Sequence, residues 1–219
     1  MPLLRSELLA DAGFDHAFPT RDCDDASVLS ALRCDEIVQA KQVHGARAVE
    51  AIAAAGNEAD AVIGRHRLGG VRTVVGVRVA DCVPILLASE ESGDVAAIHA
   101  GWRGVVAGVI QAAVELARGR SLIAAVGPSI GPCCFVVGIE VAELIARASG
   151  GAPVLVRADG GKAYVDLRAA VRAQLRAAMV RDERIEDVSG CTKHDVERFH
   201  SYRRDGPASG RMLAAIATR

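Results

Sequence analysis

Two short runs concentrate the groups able to do chemistry. Val79-Ala80-Asp81-Cys82-Val83-Pro84 carries a thiol. Seventeen residues on from that thiol, Ile98-His99-Ala100-Gly101-Trp102-Arg103-Gly104 carries an imidazole. Thiolate sulfur and neutral imidazole nitrogen are ligand types that zinc takes. The same two groups make a thiol nucleophile and its base, and on this pair alone both readings stand. Asp81 is either a carboxylate that orients a histidine or a turn former at a strand end. Trp102 is either a packing residue or a platform for a base. Arg103 lies between glycines at the start of a helical pattern, where free backbone N–H groups and a guanidinium make an anion site.

The elements that must position these residues are legible from periodicity. Val71–Val79 is rich in β-branched residues and reads as a strand ending just before Asp81-Cys82. Val95–His99 reads as a second strand, ending at the histidine. Val105, Val109, Ala112, Ala113 and Leu116 recur at helical steps, which predicts one helix opening at the Gly101–Gly104 turn. Arg47–Ile52, Ala59–Ile63, Leu122–Val126 and Pro153–Arg157 are further strand candidates. Glu140–Ala148 and Leu167 to about Val180, the latter capped by Asp166, are helix candidates. The first forty residues show the least periodicity, and Arg21-Asp22-Cys23-Asp24-Asp25 reads as a polar loop. Interleaved strands and helices predict a mixed α and β fold. No GxGxxG follows the first strand and no GxxxxGK[ST] occurs, so a nucleotide-binding doubly wound fold is not expected.

Composition removes several classes. The chain has 219 residues, 51% hydrophobic but only 3% aromatic, so a large aliphatic core is expected. A net charge of -1 argues against a nucleic-acid-binding face. Met1 to His16 lacks the continuous apolar core of a signal peptide, and no run reaches the length of a membrane span. A cytoplasmic protein with no membrane partner is the expectation. Six cysteines without a CxxC pair and without a secretory signal are expected to be thiols. Cys133-Cys134 is expected to pack in a Gly/Pro turn, and His16, His66, His194 and His200 to be surface or structural residues.

Further motifs lie around the opening pair: Lys41-Gln42-Val43-His44-Gly45, Ala59-Asp60-Ala61-Val62, Gly127-Pro128-Ser129-Ile130-Gly131-Pro132-Cys133-Cys134, Cys191-Thr192, Ser201-Tyr202-Arg203-Arg204 and Gly210-Arg211. In this order they resemble the YfiH-like laccase-domain family, whose members carry the names polyphenol oxidase and purine nucleoside phosphorylase. The resemblance runs from about residue 14 to the C-terminus. It implies one unit over residues 1–219, a layered sandwich of mixed β-sheets flanked by helices, with the site in a cleft. It implies one zinc held by His44, Cys82 and His99 with an open fourth position, copper being less expected. Catalysis would fall to Cys82, His99 and Asp81. Arg103, Gln42, Lys41, Arg21, Trp102 and Arg203 are the candidates for substrate or anion contacts. A fourth ligand is not evident, although Cys133, Cys134 or Cys191 could supply one if folded near.

Two departures from the family pattern stand out. The family's long N-terminal segment is shortened here, with Phe18-Pro19-Thr20-Arg21 resembling its start. Cys134-Phe135-Val136-Val137-Gly138 replaces the usual Cys-Tyr-Glu-Val-Gly, so a hydroxyl and a carboxylate are missing.

The implied function is zinc-dependent phosphorolysis of purine nucleosides (inosine, adenosine, guanosine, methylthioadenosine), with adenosine deamination beside it, in a monomer or homodimer. The alternatives are a metal-free Cys82–His99 thiol hydrolase or deamidase and a zinc- or nucleoside-binding protein without turnover. A multicopper oxidase needs many histidines, and six with no His-x-His pair argue against it.

Overall fold

The computed structural model describes residues 3–67, 70–119 and 121–219. Met1 and Pro2 of the segment read for a leader lie outside the described residues. The N-terminal region holds α1 (Glu7–Asp11), β1 (His16–Ala17) and α2 (Asp25–Leu32). Both helices start at side-chain caps. Ser6 accepts from the Leu9 N–H, and Asp24 accepts from the Ser27 N–H. These short capped elements fill a region that reads from sequence as the least periodic part of the chain. They are too short to show a period, and their signal is the cap.

The central part follows as β2 (Ala48–Glu50), β3 (Ala61–Gly64), β4 (Val74–Val79), β5 (Val83–Ser89) and β6 (Val95–Ala100), then α3 (Trp102–Ala107) and α4 (Val109–Ala117). The single helix expected here is two, because Gly108 takes the left-handed conformation at φ 89 and breaks the ladder. The chain continues with β7 (Leu122–Val126), β8 (Val136–Gly138), α5 (Ile139–Ala148), β9 (Leu155–Asp159), β10 (Lys162–Val165) and α6 (Leu167–Ala177). It ends with β11 (Ile185–Asp187), α7 (Tyr202–Asp205) and β12 (Met212–Ala217).

The strands form a six-stranded mixed sheet in the order β11-β7-β5-β6-β3-β2 and two antiparallel three-stranded sheets, β1-β12-β4 and β8-β10-β9. The large sheet is buried on both faces, which is why β5 and β6 read as continuous apolar runs. Val83, Ile85 and Leu87 of β5 pack with Val105, Val109 and Ile110 of α3 and α4 and with Val171 and Leu175 of α6. The alternate residues Leu86 and Ala88 face Val75 and Val77 of β4 and Ala214 and Ile216 of β12. Val28 and Leu32 of α2 cover the far side of that second sheet. The result is the mixed α and β fold that the sequence predicts, layered as the family resemblance implies. Among the described residues no helix is long and apolar enough to cross a membrane.

One connection decides where chemistry can occur. β4 and β5 are consecutive in the chain but belong to different sheets. Ala80-Asp81-Cys82 therefore crosses from one layer to the other, with Asp81 at φ 90 making the turn. Cys82 stands immediately before β5, where Val83 pairs with Ala100 and Pro84 with His99. The thiol thus meets the end of β6.

Candidate functional site

The donor atoms of His44, Cys82 and His99 lie within 4.8 Å of one another. The two imidazoles stand edge to face, with ring centroids 4.7 Å apart at 80°. His44 comes from the loop before β2, where its backbone adopts φ 61. His99 comes from β6 and is 3% exposed. Gly101 completes the floor. A Cβ at that position would stand 3.0 Å from His44 Cδ2 and 3.1 Å from Cys82 Sγ, so any larger residue would push against two of the three donors.

A residue not singled out as functional from sequence holds the cluster in place. Asp60 is fully buried, between the ends of the β2 loop and β3. Its carboxylate accepts from His99 Nδ1 at 2.7 Å and from the backbone N–H groups of His44 at 2.9 Å, Gly45 at 2.7 Å and Val43 at 3.3 Å. Burial would raise its pKa, but the hydrogen bonds from His99 and the two glycine-loop amides hold it below the ordinary value. One carboxylate therefore fixes both the loop that carries His44 and the ring of His99, leaving His99 Nε2 free to bind a metal. The available signal was the Ala59-Asp60-Ala61-Val62 motif, an acidic residue abutting a buried strand.

Charge distribution suits a cation. Burial pushes the Cys82 thiol up, yet hydrogen bonding to His44 and His99 outweighs it and brings the pKa to about 7. Burial lowers His99, and the bonds to Asp60 and Cys82 outweigh that and raise it to about 9. Two imidazoles and a readily ionised thiol match a borderline-soft divalent ion such as zinc, with three protein donors leaving a position open. The fourth ligand envisaged from Cys133, Cys134 or Cys191 is not supplied. Those thiols form a separate group with His194.

The three donors open into a cavity of about 840 Å³. That volume accommodates a nucleoside-sized ligand. Gln42, Asp81, Trp102, Arg103, Phe135 and Arg203 line it, as do Arg78, Tyr202 and Arg211. Arg103 stacks over Trp102 at 4.6 Å, and Arg203 reaches the Val136 carbonyl at 2.9 Å. Arg78 and Arg211 are the other two cavity-lining arginines, but the Arg78 guanidinium is paired with Asp25 and the Arg211 guanidinium donates to the Ser209 and Gly210 carbonyls. Arg78 has no motif signal because it lies inside β4, and only the fold brings that end of the strand to the cavity.

Other expected residues fall differently. Gln42 lines the cavity, but its amide is paired with the Arg78 backbone, accepting from N and donating to O, both at 2.8 Å. Lys41 is not at the cavity. It makes an exposed ion pair with Glu58 at 2.8 Å. Arg21 also lies away from the cavity, donating to the Val196 carbonyl at 2.6 Å. The spacing of the Lys-Gln-Val-His run turns Lys41 outward while His44 turns in. Asp81 lines the cavity without orienting a histidine. Its carboxylate accepts from Thr192 Oγ1 and from the Arg203 N–H, both at 2.6 Å. Of the departures in the Cys134–Gly138 stretch, Phe135 lines the cavity and Val136 does not.

Comparison with known proteins places the chain. Residues 23–219 match the family model described as multi-copper polyphenol oxidoreductase laccase. A protein named adenosine deaminase RL5, from an unknown prokaryotic organism, is 38% identical over 200 residues, covering 83% of this chain and 75% of its own. A purine nucleoside phosphorylase from Deinococcus radiodurans is 36% identical, covering 99% of this chain and 92% of its own. The crystal structure of YlmD from Geobacillus stearothermophilus superposes with a TM-score of 0.75 at 31% identity, covering 83% of this chain and 73% of that one.

Proposed function

Because the chain belongs to the laccase-domain family of YfiH and YlmD, we propose that it processes purine nucleosides, as a zinc-dependent phosphorylase of inosine, adenosine, guanosine and methylthioadenosine that also deaminates adenosine. The names carried by its relatives support the substrate class. The observation that carries the reading is the meeting of three metal donors with four arginines and a half-buried tryptophan in one cavity.

In phosphorolysis a phosphate oxygen bonds to C1′ of the ribose, the C1′–N9 bond breaks, and the electron pair leaves on the purine. Arg103 and Arg203 neutralise the attacking phosphate and hold it in line. Trp102, Tyr202 and Phe135 offer faces for the base. Asp60 keeps the proton on His99 Nδ1, so the ring presents Nε2. A zinc held by His44, Cys82 and His99 would supply a Lewis acid with one open position. In deamination a water oxygen bonds to C6, the C6–N6 bond breaks and ammonia leaves. The same cavity would turn the base edge toward the three donors.

The test is ribose 1-phosphate formation from inosine and phosphate, with and without chelator. Chelation and Cys82→Ala should each abolish it. Arg103→Ala and Arg203→Ala should raise KM for phosphate more than KM for inosine. Activity that survives Cys82→Ala overturns the zinc reading.

A second reading has its own observation. The thiol at about 7 beside an imidazole at about 9 is a thiolate–imidazolium pair in the metal-free protein, suited to a thiol hydrolase or deamidase. Such a dyad has no use for His44. Full activity of His44→Ala with no stoichiometric metal would select it.

A further inference from the structure

Next to the cavity-lining residues Ile130 and Phe135, two tight turns bring four more soft ligands together. In the first, the Cys134 and Phe135 N–H groups both donate to the Gly131 carbonyl at 2.9 Å, presenting Cys133 and Cys134. In the second, the Asp195 N–H donates to the Cys191 carbonyl at 2.9 Å, presenting Cys191 and His194. The four donor atoms lie within 4.8 Å of one another. Cys133 Sγ is 3.5 Å from Cys191 Sγ and 3.3 Å from His194 Nδ1. Tetrahedral zinc with Zn–S of about 2.3 Å separates two sulfurs by about 3.8 Å. The two quoted spacings are slightly shorter than the edges of a zinc tetrahedron and the remaining ones lie within 4.8 Å, so adjustments of a few tenths of an ångström to about 1 Å would form it.

From this geometry we infer that Cys133, Cys134, Cys191 and His194 bind a second zinc ion in a closed structural site, distinct from the one at His44, Cys82 and His99. Three thiolates and an imidazole fill all four positions, the pattern of a structural rather than a reactive zinc. The Gly131 N–H donates to Cys191 Sγ at 3.2 Å, an outer-shell bond of the kind that stabilises a metal-bound thiolate. The ion would fasten the Gly131–Phe135 turn to the Cys191–Asp195 turn. Ile130 and Phe135 flank the first turn and line the cavity. Thr192, in the second, holds Asp81 beside Cys82. The second zinc would thus set the wall against which the first site works. His194, expected as a surface histidine, becomes a ligand.

The sites separate cleanly in a Cys82→Ser background, where the first has no thiolate. Reduced Cys82→Ser protein loaded with Co(II) should show a thiolate-to-cobalt charge-transfer band and tetrahedral d–d bands that saturate at one equivalent, and zinc should erase both. Adding Cys133→Ser should weaken the band, and adding His194→Ala, at an exposed side chain that leaves the core untouched, should weaken binding by at least about tenfold, as loss of a ligand does more than loss of an outer-shell partner. Absence of the band in folded Cys82→Ser protein overturns the proposal. So does a band unaffected by both added substitutions. A Cys133–Cys191 disulfide that forms readily in the zinc-loaded protein also overturns it, since the ligands would then be a redox pair. The phosphorylase reading is untouched by any of these results.

Discussion

Asp60→Asn replaces one carboxylate oxygen by an amide in a fully buried position. The wild-type carboxylate accepts four hydrogen bonds, from His99 Nδ1 and from the N–H groups of Val43, His44 and Gly45. Asparagine has one carbonyl oxygen and must choose. If the oxygen stays with His99 and His44, the new NH2 faces the Gly45 and Val43 donors, and at least one part-buried N–H loses its acceptor. That costs about 1–3 kcal/mol, or a fall in Tm of about 2–12 °C for a chain of this length. If the amide turns over, the NH2 faces His99 Nδ1 and drives the proton to Nε2, the nitrogen needed for the metal. Either way the His44 loop or the His99 ring leaves its position. Loss of such an orienting partner lowers metal affinity by about 10–100-fold, which is about 1.4–2.8 kcal/mol. The assay is a zinc competition titration paired with thermal unfolding in excess chelator, which separates the two costs. Lys41→Ala is the control. It breaks an exposed pair worth about 0–1 kcal/mol and should leave zinc binding and both KM values unchanged. An Asp60→Asn protein that binds zinc as tightly as wild type would refute the assignment of Asp60 as the residue that orients both histidines.

Three further outcomes follow from the same geometry. Gly101→Ala inserts a methyl group 3.0 Å from His44 and 3.1 Å from Cys82, so zinc affinity should fall by about tenfold or more, as for a displaced ligand. Unchanged affinity would mean the three donors do not converge over Gly101. In chelator-treated protein, alkylation of Cys82, followed by peptide mass mapping, should have its midpoint near about 7. His99→Ala should move that midpoint upward, and zinc should stop the reaction; a midpoint unmoved by His99→Ala would exclude the pairing. Stability should also fall at mildly acidic pH because of His16. That ring is fully buried and held below its ordinary pKa chiefly by burial, with Nε2 accepting from the Ser6 N–H at 2.7 Å. Its contribution is present above about pH 6.5 and declines as pH drops through the range between the unfolded and folded values, by up to about 1.4 kcal/mol per pH unit, since the unfolded chain takes the proton first. Urea melts from pH 7.5 to 5.5 should show that slope in wild type and not in His16→Gln.

The legible parts of the site were those that depend on neighbours in sequence. Cys82 and His99 end apolar runs, and the pairing of β5 with β6 brings the ends of those runs together. His44 needed a resemblance, because nothing local in Lys41-Gln42-Val43-His44-Gly45 says which of its side chains turns inward. Lys41 and Arg21 show the cost of that gap: both belong to recognisable runs and both point away from the cavity. Arg78 was hidden for the opposite reason, lying in a strand whose alternation marks it only as an outward residue. Asp60 was hidden because its importance is four hydrogen bonds to groups between fifteen and thirty-nine residues away. Among elements, β4, β6 and β7 read as β-branched or continuous apolar runs, and α5 and α6 carry helical periods. The helix split at Gly108 and the capped helices near the N-terminus were lost to brevity, where one glycine or one cap outweighs a repeat.

Strain at the site argues for how its parts depend on one another. His44 at φ 61 and Asp81 at φ 90 both occupy backbone regions that side chains other than glycine rarely adopt. Each such residue costs of order 1–3 kcal/mol, so each must be held. His44 is held by its N–H bond to Asp60. Asp81 is held through its own carboxylate by Thr192 and by the backbone of Arg203. The first brace belongs to the layer of β3 and β6. The second belongs to the C-terminal segment that carries Cys191 and His194. The donors are thus gripped from two sides by charge-assisted hydrogen bonds, the class strong enough to offset such strain. Loosening the C-terminal segment should therefore disturb Cys82 through Asp81 without touching His44, Cys82 or His99 directly, and the backbone of Arg203, a cavity-lining residue, is part of the same brace.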